Sequence, residues 1–398
     1  MSSRLRPYVN GFCMPDYKKP SGGERGNASL RLLDFWAGVP LVFAAGGMRR
    51  LGGLSRRQRS DHPRTIGVIC LGAIGDLLLV TGLLGQLREA FPDARIEVVA
   101  TRSNAAVFPL LKPDYAACAF EVTDVRGMLG HLRRSRYDIL IDTSQWARLG
   151  ALLAALSRAG TTVGFSTAGQ YRHYGYECVV PHSALKHEAD NFLALGSALV
   201  PGLRRAPEIV IPEHPSAACP PLPEGPVVFF HMWPAGVHAH LKEWPGECWA
   251  ELARTVHASG YAIALTGGKE DRERTEAFLA QCLPGELADS GRVVSVAGRM
   301  SLPDLAFCFS RAAAAVSVNT GVMHLAALCG VPLVGLHGPT NPRRWGPLGG
   351  QARALLPDEG DSAYLDLGFE YPPNAENVMR FLRVNRVLEA LREMGVRV

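Results

Sequence analysis

Four stretches of the chain carry residue types whose spacing suits chemistry. In "LGAIGDLLLV", Leu71–Val80, two glycines and one carboxylate, Asp76, stand between two apolar blocks. An aspartate there either caps a helix by accepting from free backbone amides or sits at the mouth of a cleft as a proton acceptor. In "HMWPAGVHAHLKEWP", His231–Pro245, a glycine-bearing loop ends in Lys242 just before a helix start. Free amides and an ammonium group suit a diphosphate; the bland alternative is a lysine facing solvent. In "SVNTGVMHLAALCGVPLVGLHGPTNP", Ser317–Pro342, Asn319, Thr320 and Gly321 open an apolar helix with His324 in its first turn. Amides and a hydroxyl at a helix start suit an anion or sugar hydroxyls, while the histidine reads equally as a core or cap residue. In "LTGGKEDRE", Leu265–Glu273, a glycine turn precedes several acids. Such an acid can bond a ribose diol or simply complement a helix dipole.

These residues need elements to hold them, and the pattern supplies strands and helices in alternation. "TIGVICL", "RIEVVA", "YDILIDT" and "TVGF" read as strands, with leucines at helical spacing in "LLLVTGLLGQLREAF" and a further helix in "ARLGALLAALSRAG". "PEIVIPEHPSAACPPLPEGP", Pro207–Pro226, is too rich in proline for a regular helix and reads as an interdomain linker. Alternation then restarts with "VVFFHM", "YAIALTGG", "RVVSVAG", "AAAAVSV" and "VPLVGLHG". Helices are expected from Trp244, Glu270, Leu302 and Gly321, and one amphipathic helix over "AENVMRFLRVNRVLEALREMG". Strand–helix alternation implies parallel sheets covered on both faces. The expected architecture is α/β, with two doubly wound domains and a ligand site in the cleft at the carboxyl ends of the strands. The boundaries are an N-terminal extension over 1–61, a first domain over 62–212, a second over 225–374 and a C-terminal helix over 375–398.

Composition narrows the function classes. The 398 residues are 47% hydrophobic and 20% charged, enough for sizeable cores. A net charge of +5 is too small to imply nucleic acid, and no nucleic-acid motif is present. It fits phosphate-bearing partners or an anionic membrane surface. The nine cysteines include no CxxC pair, which argues against a disulfide framework and a structural zinc site and for a reduced, cytosolic protein. No GxGxxG follows the first strand, so a dinucleotide fingerprint is not met. The N-terminus does not read as a signal peptide. "FWAGVPLVFAAGGM", Phe35–Met48, is apolar and is followed by Arg49, Arg50, Arg56, Arg57 and Arg59. It falls short of the ~20 residues that span a bilayer, leaving two readings: an interfacial anchor or a helix packed on the body of the protein.

From about residue 65 to about 350 the chain resembles glycosyltransferase family 9, the heptosyltransferases that build lipopolysaccharide and their relatives. The resemblance is carried by "GAIGDLLLVTGLLGQLREAFPDARIEVV", "YDILIDTSQ", "KEWP" and the long block "AGRMSLPDLAFCFSRAAAAVSVNTGVMHLAALCGVPLVGLHGPTNPRRWGPLG". It implies a GT-B fold, two Rossmann-like domains facing a cleft, acceptor in the first and nucleotide-sugar in the second. It also implies an inverting transfer in which an acceptor hydroxyl displaces a nucleoside diphosphate. By the same resemblance Asp76 is the general base and Lys242 meets the donor phosphates. The loop before Lys242 lacks the paired threonines of some members, so the backbone amides of Ala235, Gly236 and Val237 are expected to serve the diphosphate, and Thr320, Gly321 and His324 match the family's segment at the diphosphate and sugar. Glu270, Met300 and Asn319 face the nucleoside and sugar. Asn319 stands where the family has an aspartate, which removes a charge and leaves the donor sugar open.

No DxD motif is found, which agrees with transfer needing no metal, and no cofactor is expected beyond the nucleotide-sugar, ADP-heptose by family default. Arg133, Arg134, Arg136 and Arg172 are candidates for phosphates on a lipid-linked acceptor, or else parts of a solvated basic face. The expected location is the cytoplasm, with peripheral association with the inner membrane. A nucleotide-sugar epimerase of the same fold and a non-catalytic membrane-associated scaffold are the competing functions.

Overall fold

The computed structural model describes residues 32, 34–51, 62–236, 238–283, 285, 290–366 and 370–398. Among the described residues twelve strands follow in chain order: β1 Thr65–Cys70, β2 Arg95–Thr101, β3 Ala116–Phe120, β4 Ile139–Asp142, β5 Thr161–Ser166, β6 Cys178–Pro181, β7 Val227–His231, β8 Ala262–Thr266, β9 Val293–Ser295, β10 Ala314–Val318, β11 Leu333–Leu336 and β12 Ala352–Leu355. The helices are α1 Gly38–Leu51, α2 Ile74–Ala90, α3 Val125–Ser135, α4 Arg148–Leu156, α5 Glu188–Ser197, α6 Gly246–Ala258, α7 Arg272–Cys282, α8 Leu302–Phe309, α9 Gly321–Leu328, α10 Pro342–Trp345 and α11 Val384–Glu393.

The strands form two six-stranded sheets, ordered β3-β2-β1-β4-β5-β6 and β12-β11-β10-β7-β8-β9. Every pairing is parallel. Numbered within its own domain, each sheet has the doubly wound order, and each reverses direction once. The switch points lie between β1 and β4 and between β7 and β10, where open α/β sheets take ligands. The central strands read as unbroken apolar runs because both faces are covered: β7, β8 and β10 are buried at every position. One core cluster contains residues of both domains, Leu77 and Leu83 of α2 together with Leu305 of α8 and Met323 of α9.

The proline-rich segment is pinned to both domains. Glu208 N donates to Thr81 Oγ1 at 3.0 Å and Val210 N to the Leu110 carbonyl at 2.8 Å, and Ser216 reaches Asp304 through N and Oγ. The single C-terminal helix expected over 375–398 is broken into a 3-10 turn, Val378–Phe381, and α11. The indole N–H of buried Trp244 donates to the Leu382 carbonyl at 2.8 Å, capturing an acceptor that a continuous helix would have used.

At the N-terminal side, α1 presses Val42, Ala45 and Gly46 onto the first domain, and Arg49 turns inward to Glu177 and the Ser157 and Ala159 carbonyls. The opposite face leaves apolar side chains in solvent, Phe43 61% and Leu51 91% exposed, and Trp36, just before the helix, is 72% exposed. Thus α1 packs on the body with one face and keeps an apolar face outward. Arg49 is a structural ion pair, not a surface cation. Arg56, Arg57 and Arg59 lie outside the described residues.

Candidate active site

The site forms where the two switch points meet. Strand β1 ends, Gly72 turns the chain, and α2 begins; a Cβ at Gly72 would lie 2.4 Å from Asp76 Oδ2, so glycine makes room for the carboxylate. Asp76 Oδ2 accepts from Ala73 N at 2.6 Å, the capping bond expected of an acid in a first turn. The other oxygen is engaged too: Gln145 Nε2, on the loop after β4, donates to Oδ1 at 3.1 Å. The carboxylate is therefore aimed by two donors from the two strands of the switch point, and only 4% of the residue is exposed.

Facing it, β10 ends at Val318 and Thr320 caps α9. A Cβ on Gly321 would lie 2.9 Å from Ile74 Cβ and 3.0 Å from Gly75 N, so the two helix starts touch and only hydrogen fits between them. His324 follows one turn later beside Gly75, and its ring lies within electrostatic reach of Asp76 and His187. Burial, reinforced by His187 and opposed by Asp76, pushes the imidazole down to about 4, so it is neutral at ordinary pH. His324 Nδ1 and Thr320 Oγ1 are buried without hydrogen-bond partners. Unsatisfied buried polar atoms are uncommon and costly, and here two of them line one helix start. Behind them His337 at the end of β11 donates or accepts at Thr340 Oγ1, 3.2 Å away, and is pushed down to about 3, chiefly by burial.

Lys242 closes a 3-10 turn, Ala239–Lys242, before α6. Its Nζ donates to the Ala235 carbonyl at 2.8 Å, across the loop that follows β7, and burial pushes the ammonium down to about 8. Gly236 turns this loop with φ +89°, a left-handed conformation that favours glycine. Val237 lies outside the described residues. In the loop after β8, buried Asp271 takes the structural duty, accepting from Gly268 N at 2.7 Å and pairing with Arg274. Glu270 is left exposed beside Gly268. Met300 is half-buried just before α8, and Asn319 Nδ2 donates to the Trp345 carbonyl at 3.0 Å, tying the turn before α9 to the end of α10.

The four arginines do not join this assembly. Arg133 and Arg134 close α3 and Arg136 caps its C-terminus with φ 48°. A crossover helix runs antiparallel to its strands, so its last turn lies at their amino ends, opposite the cleft. Arg172 is wholly buried, donating to Asp142 Oδ2 at 2.5 Å and close to Tyr176 Oη, so it is a core ion pair.

Sequence reasoning passed over the residues that join the domains. Arg344 of α10 pairs with Glu188 of α5 at 2.8 Å, both wholly buried, and His182 Nε2 stands 3.1 Å from the same guanidinium. His187 Nε2 lies 2.9 Å from the Gly346 carbonyl. No spacing in either segment signals these contacts, because each partner comes from the other domain.

Glycosyltransferase family 9 (heptosyltransferase) matches over residues 126–367. Lipopolysaccharide heptosyltransferase 2 of Salmonella typhimurium is 27% identical over 310 residues, covering 71% of this chain and 85% of that one. Lipooligosaccharide heptosyltransferase 2 of Haemophilus influenzae is 34% identical over 140 residues, covering 35% of this chain and 39% of the relative. The solved structure of E. coli ADP-heptose lps heptosyltransferase II superposes with a TM-score of 0.65 at 24% identity, covering 83% of this chain and 98% of that one. That likeness shows the fold.

Proposed function

The chain belongs to glycosyltransferase family 9, and we propose that it transfers a sugar, heptose by family default, from a nucleoside-diphosphate donor to a hydroxyl of a lipopolysaccharide-core or other cell-surface glycan acceptor. The observation that carries this reading is the contact of the α2 and α9 starts, which sets Asp76 opposite the unsatisfied polar atoms of Thr320 and His324. One side offers a proton acceptor, the other offers donors to an anion.

In the proposed step the acceptor hydroxyl loses its proton to Asp76 as its oxygen attacks the anomeric carbon and the bond to the diphosphate breaks, inverting the centre. A sugar hydroxyl is a weak nucleophile, and a positioned base contributes typically ~10²–10⁴ in rate. Charge developing on the leaving diphosphate meets Lys242, the Ala235–Gly236 loop and the amides at the start of α9. These groups serve in place of a metal, in keeping with the missing DxD motif. Neutral His324 can donate to a phosphate or sugar oxygen. Glu270 and Met300 suit the nucleoside, and Asn319 positions the loop beside the sugar.

The exposed apolar face of α1 supports a peripheral seat on the cytoplasmic face of the inner membrane. No described helix is long and apolar enough to cross a bilayer, but Trp36, Phe43 and Leu51 suit burial at the headgroup boundary.

The test is product analysis with a panel of nucleotide-sugars. The reading expects nucleoside diphosphate to appear together with a glycosylated acceptor. Epimerised or hydrolysed sugar formed at full rate without any acceptor would contradict it.

A further inference from the structure

Away from the cleft, the other face of the first sheet holds a cluster that transfer does not use. Glu97 is a buried carboxylate in strand β2, Cys118 lies on the neighbouring edge strand β3, and His131 comes down from α3. One ligand atom of each lies within 4.8 Å of the others.

Their arrangement is poorly served by hydrogen bonds alone. His131 Nε2 has Glu97 Oε1 at 3.2 Å, Tyr137 Oη at 3.2 Å, Ser135 Oγ at 3.4 Å and Cys118 Sγ at 3.5 Å. A ring nitrogen carries one proton or one lone pair, so most of these approaches cannot be good hydrogen bonds together. The second carboxylate oxygen, Glu97 Oε2, accepts from Tyr137 Oη at 3.0 Å and pairs with Arg95 at 3.2 Å. That outer pair holds the carboxylate so that Oε1 faces the imidazole and thiol. The Tyr137 ring reaches this place because residue 67 is glycine: a Cβ there would lie 2.9 Å from the ring.

We infer that Glu97, Cys118 and His131 form a binding site for one zinc ion, with water in the fourth position. A tetrahedral zinc with nitrogen and oxygen at about 2.0–2.1 Å and sulfur at about 2.3 Å sets its ligand atoms about 3.3–3.6 Å apart. The observed N–O and S–N separations of 3.2 and 3.5 Å match. A mixed imidazole, thiolate and carboxylate set suits zinc better than magnesium or calcium. The thiol proton leaves to solvent on binding. The ion would staple the edge strand β3 and helix α3 to β2, at a distance from the transfer chemistry. No CxxC announces it, because the ligands come singly from three elements.

Tag-free, chelator-stripped protein titrated with cobalt(II) tests this. The expected result is one cobalt per chain with a thiolate-to-cobalt charge-transfer band that zinc abolishes. Cys118→Ser should remove the band, and His131→Gln should weaken zinc binding at least about tenfold, since even outer-shell partners of a metal cost about 10–100-fold. Should either variant fail to fold, alkylation of the wild-type protein decides: zinc should shield Cys118 from iodoacetamide. Absence of the band in the wild type, its persistence in Cys118→Ser, or alkylation of Cys118 unchanged by zinc each overturns the inference and leaves a hydrogen-bonded polar cluster.

Discussion

At the scale of the residue, the site depends on groups whose protonation burial has moved. Lys242 is pushed down to about 8, and on the proposed reading it recovers its charge beside the donor diphosphate. Donor binding then takes up a proton above that pH, so affinity for ADP should be flat below about pH 8 and fall by up to about tenfold per pH unit above it. Calorimetry at about pH 7 and about pH 9 reads this directly. Lys242→Arg should flatten the profile, and Lys242→Ala should weaken binding at both pH values.

His324 and His337 have folded values near 4 and 3 against 6.5 in the unfolded chain. The unfolded state therefore binds more protons as pH drops below about 6.5, and stability is lost progressively down to about pH 3. Urea unfolding across that window should show the slope, with His337→Phe reducing it; a flat wild-type curve would contradict these assignments. Asp76, Lys242, Thr320, Gly321 and His324 were singled out in the sequence as candidates because they lie in glycine turns and at helix starts, with their roles coming from the family resemblance. Gln145 and His187 were not, since their meaning lies in a partner distant along the chain. Arg172 misled because an arginine bears no mark of burial until Asp142 is seen beneath it.

At the scale of the element, the helices that present the site were readable from their leucine spacing and glycine starts, α2 and α9 above all. The strands passed over, β3, β6 and β12, are all edges of their sheets. β3 is alanine-rich and β6 ends in Pro181, so neither carries the β-branched apolar run of a central strand. Contact between α2 and α9 gives a test of packing. Alanine normally improves on glycine within a helix by roughly 0.5–1 kcal/mol. Gly321→Ala should instead lower both melting temperature and turnover, because its Cβ would meet Ile74 Cβ and Gly75 N at 2.9–3.0 Å. Gly47→Ala, whose Cβ meets nothing within 4 Å, should be neutral or stabilising and serves as the comparison.

At the scale of the whole molecule, alternation of strand and helix on both sides of a proline-rich segment made two domains legible. What the pattern did not show is how they are held together. The buried Arg344–Glu188 pair, the His187–Gly346 contact and the pinned 207–226 segment join them. Glu188→Gln leaves a buried guanidinium without its counter-charge. It should cost about 3–5 kcal/mol in urea unfolding and speed proteolysis within 207–226; unchanged stability would show that the pair contributes nothing to docking. Serine at Trp36, Phe43 and Leu51 together should reduce co-flotation with anionic vesicles while leaving ADP affinity unaltered, and equal flotation would remove α1 as the membrane contact. The central claim is that Asp76 removes the acceptor proton across the cleft from the bound donor. Its most direct test is Asp76→Ala assayed for turnover and, by calorimetry, for ADP binding. Turnover should fall by at least ~10² with donor affinity nearly unchanged; near-normal turnover, or an equal loss of donor binding, would rule out Asp76 as the base.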